Sequence, residues 1–257
     1  MTYFGILLIF IGPPLLLLIS VMVSDLRRGI IIPAHFRTLP LYISLLAHVT
    51  IAVLYTTPWD NYLVAKEVWW YEPDLVSGIV LGWVPIEEYI FFVVQTLMSG
   101  MWLFFLMRRI PAPPHIFRTN KKLRLITAII VGILWLIWLL YLLVGWNVEL
   151  YMALLLVWAL PPIILQLIFG ADILWHYRKL VLPGVMMPFL YLCFVDAFAI
   201  SREIWTINPD STFGVDLFGM LPLEEILFFL LTNVLIIFGI TLMQARETHL
   251  RIGRKNV

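Results

Sequence analysis

"WVPIEEYIFF" spans Trp83–Phe92, and "MLPLEEILFF" spans Met220–Phe229. Each sets a P-x-E-E tetrapeptide at the head of an otherwise apolar stretch, and the surrounding chain is just as oily. It has 257 residues, is 62% hydrophobic and only 13% charged, and its mean hydropathy is +0.98. Soluble domains are nearer half apolar and about a quarter charged. Crossing a bilayer takes ~20 mostly apolar residues. Segments at roughly 3–23, 39–58, 85–107, 123–144, 150–169, 181–201 and 217–243 reach that length. The expected fold class is therefore an all-α integral membrane protein with seven transmembrane helices. The first segment has no basic residue before it and no small-residue cleavage site, so it reads as a retained helix rather than a signal peptide. Cys193 is the single cysteine, which excludes an intrachain disulfide and a Cys-based metal site.

The net charge of +1 hides where the charges sit. Arg27, Arg28 and Arg37 follow the first segment, and Arg108, Arg109, Arg118, Lys121, Lys122 and Arg124 lie between the third and fourth. Arg178 and Lys179 follow the fifth, and Arg246, Arg251, Arg254 and Lys255 follow the seventh. Only Lys66 and Arg202 fall on the other face. Basic loops stay cytoplasmic. The N-terminus is thus expected outside and the C-terminus in the cytoplasm of a multi-pass protein of the cell membrane.

With Pro85 aligned to Pro222, Gly82 meets Gly219, Glu87-Glu88 meets Glu224-Glu225, and Phe91-Phe92 meets Phe228-Phe229. Upstream, after a one-residue gap, "DNYLVAKEVWWYEPD" (Asp60–Asp74) lies over "DAFAISREIWTINPD" (Asp196–Asp210), and Pro13-Pro14 corresponds to Pro161-Pro162. The repeat unit is three helices. An odd number of spans would invert a directly joined second copy, and the unmatched fourth helix restores its direction. The expectation is a 3+1+3 parallel tandem repeat. Residues 1–110 form the first three-helix repeat, 111–147 the linker with the fourth helix, 148–244 the second repeat, and 245–257 a basic cytoplasmic tail.

Both glutamate pairs then lie on one, non-cytoplasmic side, facing each other across one cavity. For Glu87 and Glu224, ordinary complementation of a helix N-terminus is an equal explanation. Glu88, Phe92, Gln95 and Ser99 share a helical face, as do Glu225, Phe229 and Thr232. A polar face inside a membrane bundle turns inward, and an ionisable residue there points to function. Asp60 and Asp196 each end a membrane segment and join the candidates. Lys66, Glu67, Arg202 and Glu203 read rather as an interfacial ion-pair network. His48 reads as hydrogen-bonded structure, and the other histidines as flanking cytoplasmic helix ends. Most of the 11 tryptophans read as an interfacial belt, but Trp59, Trp69, Trp83 and Trp205 stand at the depth of the acids.

No phosphate loop, dinucleotide fingerprint, HExxH or paired Asp-rich magnesium motif is present, and no lysine lies in the seventh helix for a retinal Schiff base. No cofactor, no metal and no nucleic-acid partner is expected. Two P-x-E-E motifs leading FF-containing helices inside tandem three-helix repeats resemble the membrane-integral carotenoid cyclases of the heterodimeric type, the lycopene beta-cyclases, in their fused form. The resemblance covers nearly the whole chain except the fourth helix. It implies closure of the ψ-ends of lycopene or other acyclic carotenoids into β-ionone rings, giving β-carotene or γ-carotene without net redox change. It also implies contact with membrane lipid and with other carotenoid-pathway enzymes. An acid and a base close together in a greasy site suit that chemistry. Glu88 and Glu225, supported by Glu87 and Glu224 and joined by Asp60 and Asp196, are the expected acid–base groups. Phe91, Phe92, Phe228, Phe229, Trp59, Trp83 and Trp205 are the expected substrate-binding aromatics, sheltering a cation by their ring faces. The competing reading is a proton-coupled small-solute transporter with 3+1+3 repeats. It would need a polar path across the membrane, and the cytoplasmic halves of the third and seventh helices are largely Leu, Ile, Phe and Met.

Overall fold

Runs of Leu, Ile, Val and Phe become seven helices, each long and apolar enough to cross a membrane. They are α1 (Tyr3–Arg27), α2 (Leu41–Ala65), α3 (Ile86–Met107), α4 (Lys121–Val144), α5 (Leu150–His176), α6 (Arg178–Ser201) and α7 (Leu223–Gln244), with a short α8 (Arg246–Arg251) behind them. This is a computed structural model, and it describes residues 1–111, 113, 116–145, 150–217 and 219–253. His115, Arg254, Lys255 and the expected boundary at 147/148 lie outside them. The expected seventh segment begins too early, because Asp216–Leu217 and Leu221–Pro222 are extended and paired. Pro222, like Pro85, occupies the N-cap position in an extended conformation, so the helix begins at the residue after it.

Prolines inside the helices free carbonyls, and in an apolar setting each freed oxygen needs another donor. Pro14 leaves the Phe10 oxygen open, and the Tyr191 hydroxyl donates to it at 2.6 Å; Leu7–Ile11 relaxes there into a π-helical turn. Pro162 leaves the Trp158 oxygen open, and the Tyr55 hydroxyl donates to it at 2.8 Å. Pro161 leaves the Val157 oxygen, which accepts from Trp135 Nε1 at 3.2 Å. At Gly170 the backbone of α5 breaks (φ −149), and the neighbouring Ile168 and Phe169 oxygens accept from Arg124 and Arg251.

Between α2 and α3 run β1 (Trp69–Tyr71), β2 (Val80–Leu81) and β3 (Val84–Pro85); between α6 and α7 run β4 (Trp205–Ile207), β5 (Asp216–Leu217) and β6 (Leu221–Pro222). The pairs β2–β3 and β5–β6 are tight antiparallel hairpins. Strand β1 pairs antiparallel with β4, Trp70 opposite Thr206, tying one loop to the other. Two further bonds extend the ribbon, Glu72 N to the Ile204 oxygen at 3.2 Å and Asn208 N to the Val68 oxygen at 2.9 Å. Both loops leave their helices through a non-glycine residue in the left-handed region, Glu67 and Glu203, each at φ 55. In the same turns Val68 N reaches back to the Leu63 oxygen and Ile204 N to the Ala199 oxygen.

The expected ion-pair network at these turns is not what forms. Among the described residues, the ion pairs join Asp25 to Arg108 and Arg109, and Asp172 to Arg251. Glu67 and Glu203 are exposed, while Lys66 lies over the Tyr62 ring and Arg202 over the Phe198 ring. His48 is structural. Its Nδ1 lies 2.7 Å from the Ser44 oxygen, and its ring fills the space where a side chain on Gly239 would stand, 2.0 Å from Nε2. Helix α4 packs on α5 and turns apolar side chains such as Leu125, Ile130 and Leu143 outward. Helices α3 and α7 meet face to face. Gln95 donates to Thr232 at 3.1 Å and Ser99 to Asn233 Oδ1 at 2.7 Å, so their polar faces turn toward each other.

Candidate active site

Where α2 and α6 end and α3 and α7 begin, their side chains line one cavity. Among the described residues, four carboxyl groups line it: Asp60 from α2, Glu88 from α3, Asp196 from α6 and Glu225 from α7. Asp60 and Asp196 are 1% and 3% exposed, and each has an Oδ2 without a hydrogen-bond partner. Among the described residues, no lysine, arginine or histidine lines the cavity. Two other buried acids, Asp25 and Asp172, are by contrast paired with arginine. Among the described residues, no group of three or more His, Cys, Asp or Glu is arranged to hold a metal ion.

The hydrogen bonds to these acids come from phenols and an indole. Tyr3, at the start of α1, donates to Glu88 Oε2 at 2.5 Å, and Tyr71, at the end of β1, donates to the same oxygen at 3.1 Å. Tyr151, at the start of α5, donates to Glu225 Oε1 at 2.8 Å. Trp205 Nε1 donates to Asp196 Oδ1 at 2.9 Å, whereas Trp69 Nε1 donates to the Tyr71 hydroxyl at 3.2 Å and leaves Asp60 to itself. Burial, with the Glu88 and Asp60 carboxyls beside it, holds the Tyr71 phenol well above its ordinary titration range. The phenol therefore stays a donor.

Aromatic faces complete the wall. Phe91 and Phe229 meet edge to face at 6.3 Å between centroids, Phe228 and Phe229 at 5.1 Å, and Trp59 stacks on Phe228 at 5.9 Å; Phe92 also lines the space. Thus Asp60, Asp196, Glu88, Glu225, all four phenylalanines, Trp59 and Trp205 come together.

Three of the residues singled out in the sequence do not reach the cavity. Glu87 and Glu224 are fully buried but turn to the preceding loops, because adjacent helical residues diverge by about 100°. Glu87 accepts from Ser77 N at 2.6 Å and from Ser77 Oγ at 3.2 Å, and Glu224 accepts from Phe213 N at 2.8 Å. Trp83 sits at the β2–β3 turn and is 66% exposed. Its N–H donates to Asn61 Oδ1 at 2.8 Å.

The phenols were missed, although two of them carried a signal. Tyr3 lies ten residues before Pro13, and Tyr151 lies ten before Pro161. Tyr71 aligns with Ile207 and carried none.

A sequence model described as "Lycopene cyclase" matches residues 1–106 and 148–243. The chain is 36% identical over 192 residues to a "Lycopene beta-cyclase" of Halobacterium salinarum, covering 75% of this chain and 78% of that one. It is 37% identical over 212 residues to a "Bifunctional lycopene cyclase/phytoene synthase" of Leptosphaeria maculans, covering 74% of this chain and 34% of that one. It is 33% identical over 193 residues to a protein of the same description in Aspergillus oryzae, covering 75% and 33%. The chain thus spans about a third of the fungal proteins. No solved structure matches it.

Proposed function

The chain belongs to the lycopene cyclase family, and from that premise we propose that it closes the ψ-ends of lycopene into β-ionone rings, starting each closure with a proton from the carboxyl cluster. The observation that carries the proposal is four carboxyl groups in one aromatic cavity without a basic residue. Like charges confined away from water do not all ionise together, so such a cluster holds protons and anions side by side. A proton-initiated, proton-terminated reaction needs that combination.

In the proposed sequence, a carboxylic acid adds its proton to C2, using the electron pair of C1=C2 and leaving a cation at C1. The pair of C5=C6 then forms the C1–C6 bond and moves the cation to C5. A carboxylate removes the proton from C6, and the released pair becomes the ring double bond. The product is an isomer of the substrate, so no redox cofactor takes part. Two phenols donate to Glu88 and so favour its ionised form, which suits the base. Glu225 and Asp196 line the same cavity, and such a carboxyl pair suits the proton donor. The faces of Phe91, Phe92, Phe228, Phe229, Trp59 and Trp205 stabilise the travelling cation, by about 0.5–2 kcal/mol for a well-placed ring.

The parallel 3+1+3 arrangement belongs to the same proposal. It is supported by helix starts α3 and α7, and helix ends α2 and α6, converging on one cavity. So does the setting in the cell membrane with the N-terminus outside, supported by the arginine clusters beyond the opposite helix ends. Lipid supplies the forty-carbon substrate, and neighbouring carotenoid enzymes stand upstream and downstream. The solute-transporter alternative has no support from the relatives.

Expression in lycopene-accumulating cells tests the reading. Conversion of lycopene to a cyclised pigment is expected, with the absorption spectrum naming the ring. Glu88→Gln and Glu225→Gln should each cut conversion at least 100-fold, whereas Glu87→Gln and Glu224→Gln, which keep an acceptor for the loop, should retain it. Lycopene left untouched by a correctly inserted wild-type chain would contradict the proposal.

A further inference from the structure

A second cavity lies alongside the first, between α2, α3, α5 and α7. The two share Phe92 and Phe228, which form the partition between them. Its walls are largely apolar, and the Gln95 side chain in it is spent on Thr232. Its outer rim is formed by Ile51 and Leu165, which are 58% and 67% exposed. Ile51 is near the middle of α2, and the nine residues from it to Asp60 span roughly 14 Å of helix axis at about 1.5 Å per residue. A mouth at that depth opens to lipid tails rather than to water.

The aligned places between α1 and α6 are filled differently. Thr56, Ala52 and Gln166 line this groove, and their aligned counterparts are Leu192, Pro188 and Leu18. Leu192 is 1% exposed and part of the core, with Leu18 packed against that core. The bundle therefore leaves a path from the carboxyl cluster on one flank and packs the other shut.

We propose that this groove holds the polyene chain of the substrate while one ψ-end lies among the carboxyl groups, and that its mouth between Ile51 and Leu165 is the lateral entry from the bilayer. This rests on the cyclase reading and adds to it the direction of entry. Continuity through Phe92 and Phe228, the largely apolar walls and the mid-membrane mouth suit a long hydrocarbon.

The test compares Ala52→Leu and Ala52→Trp, which fill the groove, with Met187→Trp on the opposite flank, at the position aligned with Ile51. Each is assayed in detergent on lycopene and on a short acyclic polyene carrying a single ψ-end. The expected result is a graded loss on lycopene, at least tenfold for Ala52→Trp, with the short substrate still cyclised and Met187→Trp unchanged on both. Lycopene turnover unaffected by Ala52→Trp would overturn the proposal, as would equal loss on both substrates by the milder Ala52→Leu. A wild type that cyclises neither substrate would instead defeat the cyclase reading itself.

Discussion

The four cavity acids differ chiefly in what donates to them, and in the proposed mechanism those donors set their division of labour. Glu88 receives the hydroxyls of Tyr3 and Tyr71, Glu225 receives that of Tyr151, and Asp196 receives the indole N–H of Trp205. A hydrogen bond to a charged group contributes about 1.5–3 kcal/mol. Tyr71→Phe should therefore lower kcat by about 10–100-fold, with little change in KM if the phenol acts on the base rather than on binding the chain. Burial and the neighbouring carboxyls raise the Tyr71 phenol above its ordinary value, and a raised phenol remains protonated at every lower pH. The phenol's own titration should thus leave no mark on the pH–rate profile; an alkaline limb present in wild type and lost in Tyr71→Phe would contradict this. The sequence makes Glu88, Glu225, Asp60 and Asp196 legible because charge inside an apolar run is conspicuous. It favours Glu88 over Glu87 only through the face shared with Gln95 and Ser99, since which of two adjacent residues faces inward depends on where the helix is rotated by its neighbours. Tyrosines are common at membrane interfaces, so Tyr3 and Tyr151 stand out only when the Pro-Pro alignment is carried ten residues upstream.

At the scale of the element, the prolines decide the most. They interrupt the helical ladder where no water is at hand, and the chain answers with aromatic donors from neighbouring helices. Tyr191 on Phe10 and Tyr55 on Trp158 stand at aligned positions and serve aligned carbonyls. Removing either hydroxyl leaves an acceptor unpaired, at a cost of about 1–3 kcal/mol. Tyr55→Phe and Tyr191→Phe should each lower the thermal midpoint in detergent without abolishing cyclisation; unchanged midpoints in both would show that the freed oxygens need no partner. The seven spans are legible from apolar length, but the start of α7 is not. The stretch from Asp216 to Pro222 is apolar enough to read as helix, and the hairpin pairing of Asp216 with Pro222 prevails instead. The ribbon between β1 and β4 is equally hidden, because pairing between residues so far apart in the chain leaves no local pattern.

For the whole molecule, the proposed duplication would supply two of nearly everything, and the deviations between the aligned halves would supply direction. Tyr71 has no partner in the second copy, Asp60 lacks the indole donor that Asp196 has, and one flank is filled where the other is open. Membrane character and the repeated motif are written in the sequence over long distances and survive averaging. The open flank depends on a few substitutions between small and large side chains, which becomes visible only once the helices are packed. The central claim is that solvent-exchangeable protons held by the carboxyl cluster start the ring closure. It is tested most directly by a single turnover of lycopene with excess purified protein equilibrated in deuterium oxide. The account predicts one deuterium per ring, located at C2, and no product from Glu225→Gln. Rings formed without deuterium, or formed at the wild-type rate by Glu225→Gln, would contradict it.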